Sequence, residues 1–456
     1  MSTPGAWQDV RHAQYRPGSA VRDLPRRRLR APPLVPTRPD ALAAAARRRM
    51  TRTGWAYVSG GAGAQRTLAV NREAFGRYRI VPRQMVDVGE RSLTTTLLGR
   101  ELPAPVLYGP VGALELAVQH RRGRAAAPRA AEPELAAAAR GLGLPVVISS
   151  QASTPMEDTA AALGDSPRWF QLYWSSDDTV AESFVARAEA SGCEAIVVTL
   201  DTHVLGWRTL DLDLGYLPFA RAEGIAQYLS DPAFQALVEA RVRGTAAPAP
   251  SPDDDGAAPG RPTPAAVRSL LSMARHHPGP TWRNLTQPSA RAAVETFLDV
   301  FSRSTLTWKD LAWLRERTTL PLLVKGIQHP DDARTALDHG ADGIIVSNHG
   351  GRQVDNAVAS LDTLAPVVDA VRARPDGADV PVLFDSGIRT GADVFTALAL
   401  GADAVLLGRP WVYGLALAGS HGVRAVTEHV LAELDLTMAL AGVSRTDQIG
   451  RHNLAQ

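Results

Sequence analysis

A chain of 456 residues with 45% hydrophobic side chains can bury a large core, either as two or three domains or as one α/β barrel. Its net charge of +2 supplies no field that would draw it to nucleic acid, and it has no RNP, zinc-finger or basic-zipper pattern. The single cysteine, Cys193, excludes an internal disulfide framework and any multi-cysteine metal site, which fits the expected location, a reducing cytoplasm.

Residues 1–40 read as a basic, proline-rich N-terminal arm, carried by RDLPRRRLRAPPLVPTRP at 21–38. The stretch lacks the apolar centre of a signal peptide, so it is either an arm lying on the surface or a neighbouring subunit, or a disordered tail. No apolar run is long enough to span a membrane, and none is expected to.

From residue 41 onward, short apolar runs bounded by Pro, Gly or polar residues recur in order: PVLYGP (105–110), PVVISS (145–150), RWFQLYW (168–174), EAIVVTLD (194–201), PLLVKG (321–326), GIIVSN (343–348), PVLFDSG (381–387) and AVLLGR (404–409). Most neighbours are separated by enough residues for one crossover helix, as in VAESFVARAEASG at 180–192. Near-continuous apolar strands alternating with helices predict a parallel sheet buried on both faces, and eight of them close an α/β fold of the (β/α)8 TIM-barrel class. One connection is anomalous. After the fourth strand the chain runs from 202 to 320, with an insertion at about 213–305 whose centre, GTAAPAPSPDDDGAAPGRPTP, has a composition that cannot bury a core. This predicts a long, partly flexible excursion on the face where barrel enzymes carry their chemistry.

The C-terminal strand ends therefore hold the candidate site. Polar and charged residues gather there: Ser149 on the second strand, Gln171 and Tyr173 on the third, Thr199 and Asp201 on the fourth, and Lys325 on the fifth. Ser347, His349 and Arg352 follow on the sixth, Asp385 to Arg389 on the seventh, and Gly408 and Arg409 on the eighth. Glycines and arginines after the last two strands occupy the usual phosphate position of barrels, where backbone N–H groups and a guanidinium fork can meet oxygens. His349 is the natural base, because imidazole titrates near neutrality, and Arg352 offers a planar fork for a carboxylate. Asp201 could orient the His349 ring or simply close its own turn. His276 and His277 are adjacent, and no cluster of metal-ligating spacing exists, so no metal is implied.

Taken together, YVSGGAG, RYRIVPRQMVDV, LTTTLLG, WFQLYW, VTLDT, LLVKGI, SNHGGRQVD, LFDSGIRTGADVFTALALGA and LLGRP resemble the FMN-dependent α-hydroxy-acid oxidase and dehydrogenase family over most of the chain from about residue 50. Within that family, DTHVLGWRTLDL, LPFARAEGIAQYLSDPAFQ, KGIQHPDDAR and the long excursion are similar to the lactate 2-monooxygenase group. The resemblance implies oxidation of a small L-2-hydroxy acid by O2, FMN as cofactor, and a homo-oligomer, a tetramer or octamer. No Rossmann G-x-G-x-x-G follows a strand, so NAD in such a domain is not expected.

Carried over position by position, the resemblance implies catalysis by His349, Asp201 and Tyr173, and substrate binding by Tyr57, Tyr173, Arg208, His349 and Arg352. It also implies that FMN is held by Pro110, Val111, Gly112, Ser149, Gln171, Thr199, Lys325 and Ser347 along its ring and ribityl chain. Asp385, Ser386, Gly387, Ile388, Arg389, Gly408 and Arg409 would hold the remainder and the phosphate. Gly112, where many relatives carry alanine, is expected to leave more room beside the flavin, in agreement with the monooxygenase likeness, though one glycine does not choose between monooxygenase and oxidase. Two departures stand out: the basic HRRGRAAAPRAAEPE at 120–134, and Gln151 at a pocket position that is tryptophan in glycolate oxidase. Three other readings remain open: an oxidase releasing H2O2 or an acceptor-linked dehydrogenase, a barrel aldolase or isomerase using Lys325 as a Schiff base, and an inactive flavin-binding homologue.

Overall fold

The computed structural model describes residues 33–120, 131–244 and 263–455. Residues 1–32 of the expected arm, most of the basic stretch and the low-complexity centre at 245–262 thus lie outside the described residues. The boundary drawn at residue 40 falls inside a helix, Pro39–Arg49, which proline opens at its first turn, where the missing N–H costs nothing. A second helix, Arg52–Ser59, is capped by Thr51, whose hydroxyl accepts from the Gly54 N–H at 3.0 Å.

Eight parallel strands follow: β1 (Val106–Tyr108), β2 (Val146–Ser149), β3 (Arg168–Leu172), β4 (Ile196–Thr199), β5 (Leu322–Ile327), β6 (Gly343–Val346), β7 (Val382–Phe384) and β8 (Ala404–Leu407). They close in chain order, with β8 pairing β1 through Leu406–Leu107 and Leu407–Tyr108. Each coincides with one of the apolar runs, and the chain forms the (β/α)8 barrel expected of them.

Strand alternation divides the core in two. Leu107, Val147, Trp169, Val197, Leu323, Ile345, Leu383 and Leu406 fill the barrel interior, closed at one end by Leu97 and Leu102 of the hairpin Thr95–Leu97/Arg100–Leu102. The intervening residues, such as Val106, Ile148, Phe170, Val198, Val324, Ile344 and Phe384, face the helical layer. Both sets are buried, which is why the strands read as continuous rather than alternating apolar runs.

The excursion after β4, expected to be long and partly flexible, is described only on either side of its low-complexity centre. Its described parts form the helices Pro232–Val242, Pro264–His276, Thr281–Thr286 and Ser289–Val300. Phe297 packs edge-on against Tyr228, ring centres 4.8 Å apart, and stacks on Phe301 at 5.2 Å. His276 reaches back to the fully buried Glu115 at 2.8 Å, tying this layer to the segment after β1. The low-complexity centre hid these flanking amphipathic segments from a composition-based reading.

Candidate active site

The inward register of the barrel continues beyond its apolar rungs, and that continuation builds the site. Two residues after Val147, Trp169, Val197, Leu323, Ile345 and Leu383 stand Ser149, Gln171, Thr199, Lys325, Ser347 and Asp385. One rung higher come Tyr173, Asp201 and His349. The pleat alone thus carries polar groups from six strands to one mouth. Lys325, 3% exposed, donates to Ser347 Oγ at 2.8 Å and pairs with Asp385 at 3.0 Å. Burial opposes its ammonium, but Asp385 and Asp201 outweigh burial and raise its pKa, so it is a fixed positive charge.

After β6 the backbone turns through His349, Gly350 and Gly351 with φ of 57°, 65° and 75°. Three successive left-handed residues are tolerated because two are glycine. A Cβ on Gly351 would stand 2.6 Å from the Leu68 backbone nitrogen, and one on Gly350 would stand 2.7 Å from an Arg409 nitrogen. Asn71 and Asn348 exchange side-chain hydrogen bonds of 2.8 and 2.7 Å, and Asp355 accepts from the Ala64 and Arg66 N–H groups, both at 2.7 Å. The turn is thereby clamped to the N-terminal helices.

His349 Nδ1 lies 2.7 Å from Asp201 Oδ1. A carboxylate only accepts, so Nδ1 carries the proton and Nε2 is left with its lone pair, 3.3 Å from the Tyr173 hydroxyl. Thr202 braces the pair, its hydroxyl 3.0 Å from Asp201 Oδ1 and 3.3 Å from His349 Nδ1. Burial pushes the His349 pKa down, and Lys325 and Arg208 push the same way against Asp201, so the ring is neutral and basic at Nε2. Burial alone would raise Asp201, but Lys325 and the hydrogen bonds from His349 and Thr202 hold it below the usual carboxylate range. Tyr173 is pushed up to about 12 by burial and by Asp201, and Tyr57 is raised by burial, so both phenols stay protonated.

Two guanidinium groups stand beside these phenols. Arg352 lies over the Tyr57 ring, 4.9 Å from its centre, and its Nη1 donates to the carbonyls of Tyr57 and Gly60. Arg208, 8% exposed, donates from Nη2 to Gln353 at 3.2 Å, while its Nε is buried without a partner among the described residues. Burial and the neighbouring Arg352 hold it down to about 10. On the far side, Arg409 makes three bonds to the carbonyls of Val58, Gly350 and Gly60, and burial pushes it down to about 9. Arg389 is likewise lowered by burial, and its guanidinium donates to the Ile388 carbonyl at 2.7 Å. A cavity with this many under-neutralised cations demands anions.

One cleft, with about 980 Å³ of empty volume that is partly open to solvent, collects most of the expected residues: Tyr57, Pro110, Val111, Gly112, Tyr173, Thr199, Arg208, Lys325, His349, Arg352, Asp385, Ser386, Gly387, Ile388, Arg389, Gly408 and Arg409. Ser149, Gln171, Ser347 and Asp201 stand behind that surface, bonded to one another or to its lining. Gln151 joins the lining beside Gly112, where a Cβ would come within 3.1 Å of Gln151 and 3.2 Å of the Tyr57 hydroxyl. Sequence reasoning missed Thr202, Asn71 and Gln353, which donates to the carbonyls of Asp201 and Val204 at 2.6 and 3.1 Å. The adjacency of Thr202 to Asp201 and of Gln353 to Arg352 was the available signal.

The family model for FMN-dependent dehydrogenases matches residues 46–456. The chain belongs to the FMN-dependent dehydrogenase family. It is 38% identical over 388 residues to an L-lactate oxidase of Lysinibacillus sphaericus, covering 85% of this chain and 84% of that protein. It is 35% identical over 417 residues to a glycolate oxidase of Spinacia oleracea, covering 90% and 94%. Among solved structures, an (S)-mandelate dehydrogenase superposes with a TM-score of 0.70 at 30% identity, covering 91% of this chain and 98% of that one.

Membership makes the protein an FMN-dependent oxidoreductase, and the mouth of the barrel fits that cofactor. Gln171 Nε2 and Thr199 Oγ1 are buried there with no hydrogen-bond partner among the described residues, a costly state that the polar edge of a flavin ring would relieve. The cations Arg389 and Arg409 lie at the end where the phosphate of a family member's FMN is expected, beside Gly408 and the N-terminus of the helix Arg409–Leu440. Among the described residues no group of side chains could hold a metal ion.

Proposed function

We propose that this protein oxidises a small L-2-hydroxy acid with O2, and that L-lactate is converted to acetate, CO2 and water, in the manner of lactate 2-monooxygenases. The observation that carries the reading is the His349 ring, with Nδ1 committed to Asp201 and Nε2 presented to a cavity it shares with Arg352 and Arg208. A 2-hydroxy acid offers one anion and one acidic hydrogen, which these groups match.

In this reading Arg352, Arg208 and the Tyr57 hydroxyl hold the substrate carboxylate. His349 Nε2 takes the proton released on oxidation, and Asp201 stabilises the imidazolium that results. Tyr173, whose hydroxyl lies 3.3 Å from His349 Nε2, would donate a hydrogen bond on the hydroxyl side of the substrate. FMN, when bound, supplies the acceptor for the two electrons. Ser149, Gln171, Thr199, Lys325 and Ser347 would hold its ring with the Pro110–Gly112 backbone; Asp385 to Arg389 with Gly408 and Arg409 would hold its ribityl phosphate. Lys325, a fixed charge, would favour the electron-rich ring. The raised pKa of Lys325 and its pairing with Asp385 argue against the aldolase reading, which needs a neutral amine.

The 38% identity to an L-lactate oxidase supports O2 as acceptor, whereas the space at Gly112 is already taken up by Gln151 and the Tyr57 hydroxyl and says nothing of the acceptor. Anaerobic L-lactate should bleach the yellow protein, and aerobic turnover should yield acetate and CO2 in step with O2 consumed. Stoichiometric pyruvate and H2O2 would instead make it a simple oxidase, and no bleaching by any 2-hydroxy acid would end the reading.

A further inference from the structure

The excursion helix Pro264–His276 ends in a histidine whose two ring nitrogens both meet acceptors. Nδ1 lies 2.8 Å from the Ser272 carbonyl oxygen, and Nε2 lies 2.8 Å from Oε2 of the fully buried Glu115. A carbonyl only accepts, so Nδ1 carries a proton. The contact at Nε2 needs a second proton, held by the ring or by the carboxyl, because without it two lone pairs would face each other at that distance. Glu115 follows shortly after Gly112 in the turn beyond β1. Its Oε1 accepts from the Gly224 N–H at 3.0 Å, and its own N–H donates to Ser153 Oγ at 3.1 Å. Between them Ala113 holds a left-handed φ of 47° and packs so closely on Gly224 that a Cβ there would stand 2.7 Å from the Ala113 Cβ.

We propose that His276 and Glu115 form a proton-dependent latch, which fastens the excursion helix to the turn carrying Gly112 while the pair shares its second proton and lets go when that proton passes to solvent. The surrounding charges favour the closed form. Burial alone would lower His276, but Glu115, the Ser272 carbonyl and Glu223 outweigh it and raise its pKa. Glu223 accepts from the Tyr216 hydroxyl and from Gln119 at 3.4 Å, and Glu132, pushed up to about 7 by burial, feels Glu115 as a further like charge. Arg221 lies over the Tyr216 ring, 5.4 Å from its centre. The remaining charged neighbours are engaged elsewhere or exposed. His277 turns Nδ1 to the Pro278 carbonyl at 3.1 Å, Arg283 lies over Trp282, Arg291 pairs with Glu295 and Arg241 with Asp299, and Arg275 faces solvent. A pair whose pKa is raised by docking stabilises the docked helix fully below the ordinary histidine value of about 6.5 and loses that contribution as pH rises through the raised value. The latch therefore opens on the alkaline side.

Amide hydrogen exchange of the FMN-loaded protein at about pH 6.5 and about pH 9.5, corrected for the intrinsic rate at each pH, tests the latch. At the higher pH, protection over residues 264–286 should fall at least ~5-fold more than protection of the barrel strands. In His276→Gln, whose amide donates to Glu115 at either pH, that extra loss should vanish. Glu115→Gln should reverse the sign: its amide donates to the neutral ring, so the helix stays docked at alkaline pH and loosens below about pH 6, as the ring gains a charge that faces the amide N–H. A wild-type helix that keeps its protection, or that loses it only in step with the strands, would overturn the latch. So would an alkaline loss that persists in either variant. Should a variant fail to fold, the wild-type comparison of helix with strands decides by itself.

Discussion

His349 and Arg352 sit three residues apart, yet their surroundings assign them different tasks. His349→Gln keeps a hydrogen-bond donor but loses the basic nitrogen, so the variant should remain yellow while lactate bleaches it at least ~100-fold more slowly in stopped flow. Arg352→Met removes a charge that holds the substrate anion and should raise KM or the bleaching Kd by more than ~10-fold. Because burial, Lys325 and Arg208 depress the His349 pKa, kcat/KM should be level at neutral pH. It should fall only as pH drops below the ordinary histidine value of about 6.5. Asp201→Asn removes the group that raises His349, so the acid limb should move to still lower pH while the plateau drops. A limb that moved upward would contradict the assigned tautomer.

At the scale of elements, the turn after β6 depends on its glycines. Gly351→Ala places a Cβ against the Leu68 backbone at a φ of 75°, and should cost about 2 kcal/mol or more of stability, read from denaturant midpoints. The same substitution should slow turnover, because the turn carries His349 and Arg352. The eight strands were legible in the sequence because a parallel sheet buried on both faces writes itself as apolar runs. The rim was legible for a related reason: inward parity continues from Val197 to Thr199 and Asp201, and from Ile345 to Ser347 and His349. The excursion was not, because its low-complexity centre masked flanking helices whose burial depends on Phe219, Tyr228 and Phe297 meeting across distant segments. Thr202, Gln353 and Asn71 escaped notice because hydrogen-bonding side chains are common near turns and only three-dimensional contact gives them a role.

For the whole molecule, loading with FMN and stability should be linked. A ligand that binds only the folded state at a thousand times its Kd adds about 4 kcal/mol, so the melting temperature should rise with added FMN and not with riboflavin at matched concentration if the phosphate-facing arginines carry the binding. Arg409→Met should abolish the difference between the two. The clamp that Arg409 makes on the carbonyls of Val58 and Gly60 has its own consequence. These carbonyls belong to the end of Arg52–Ser59, the segment that carries Tyr57, so one side chain both faces the cofactor's phosphate end and fastens the N-terminal cover of the substrate cleft. The cover's hold on the barrel thus runs in part through a side chain at the end of β8. Stripping the cofactor should release the cover first, seen as faster amide hydrogen exchange over residues 52–66 while the barrel strands stay protected.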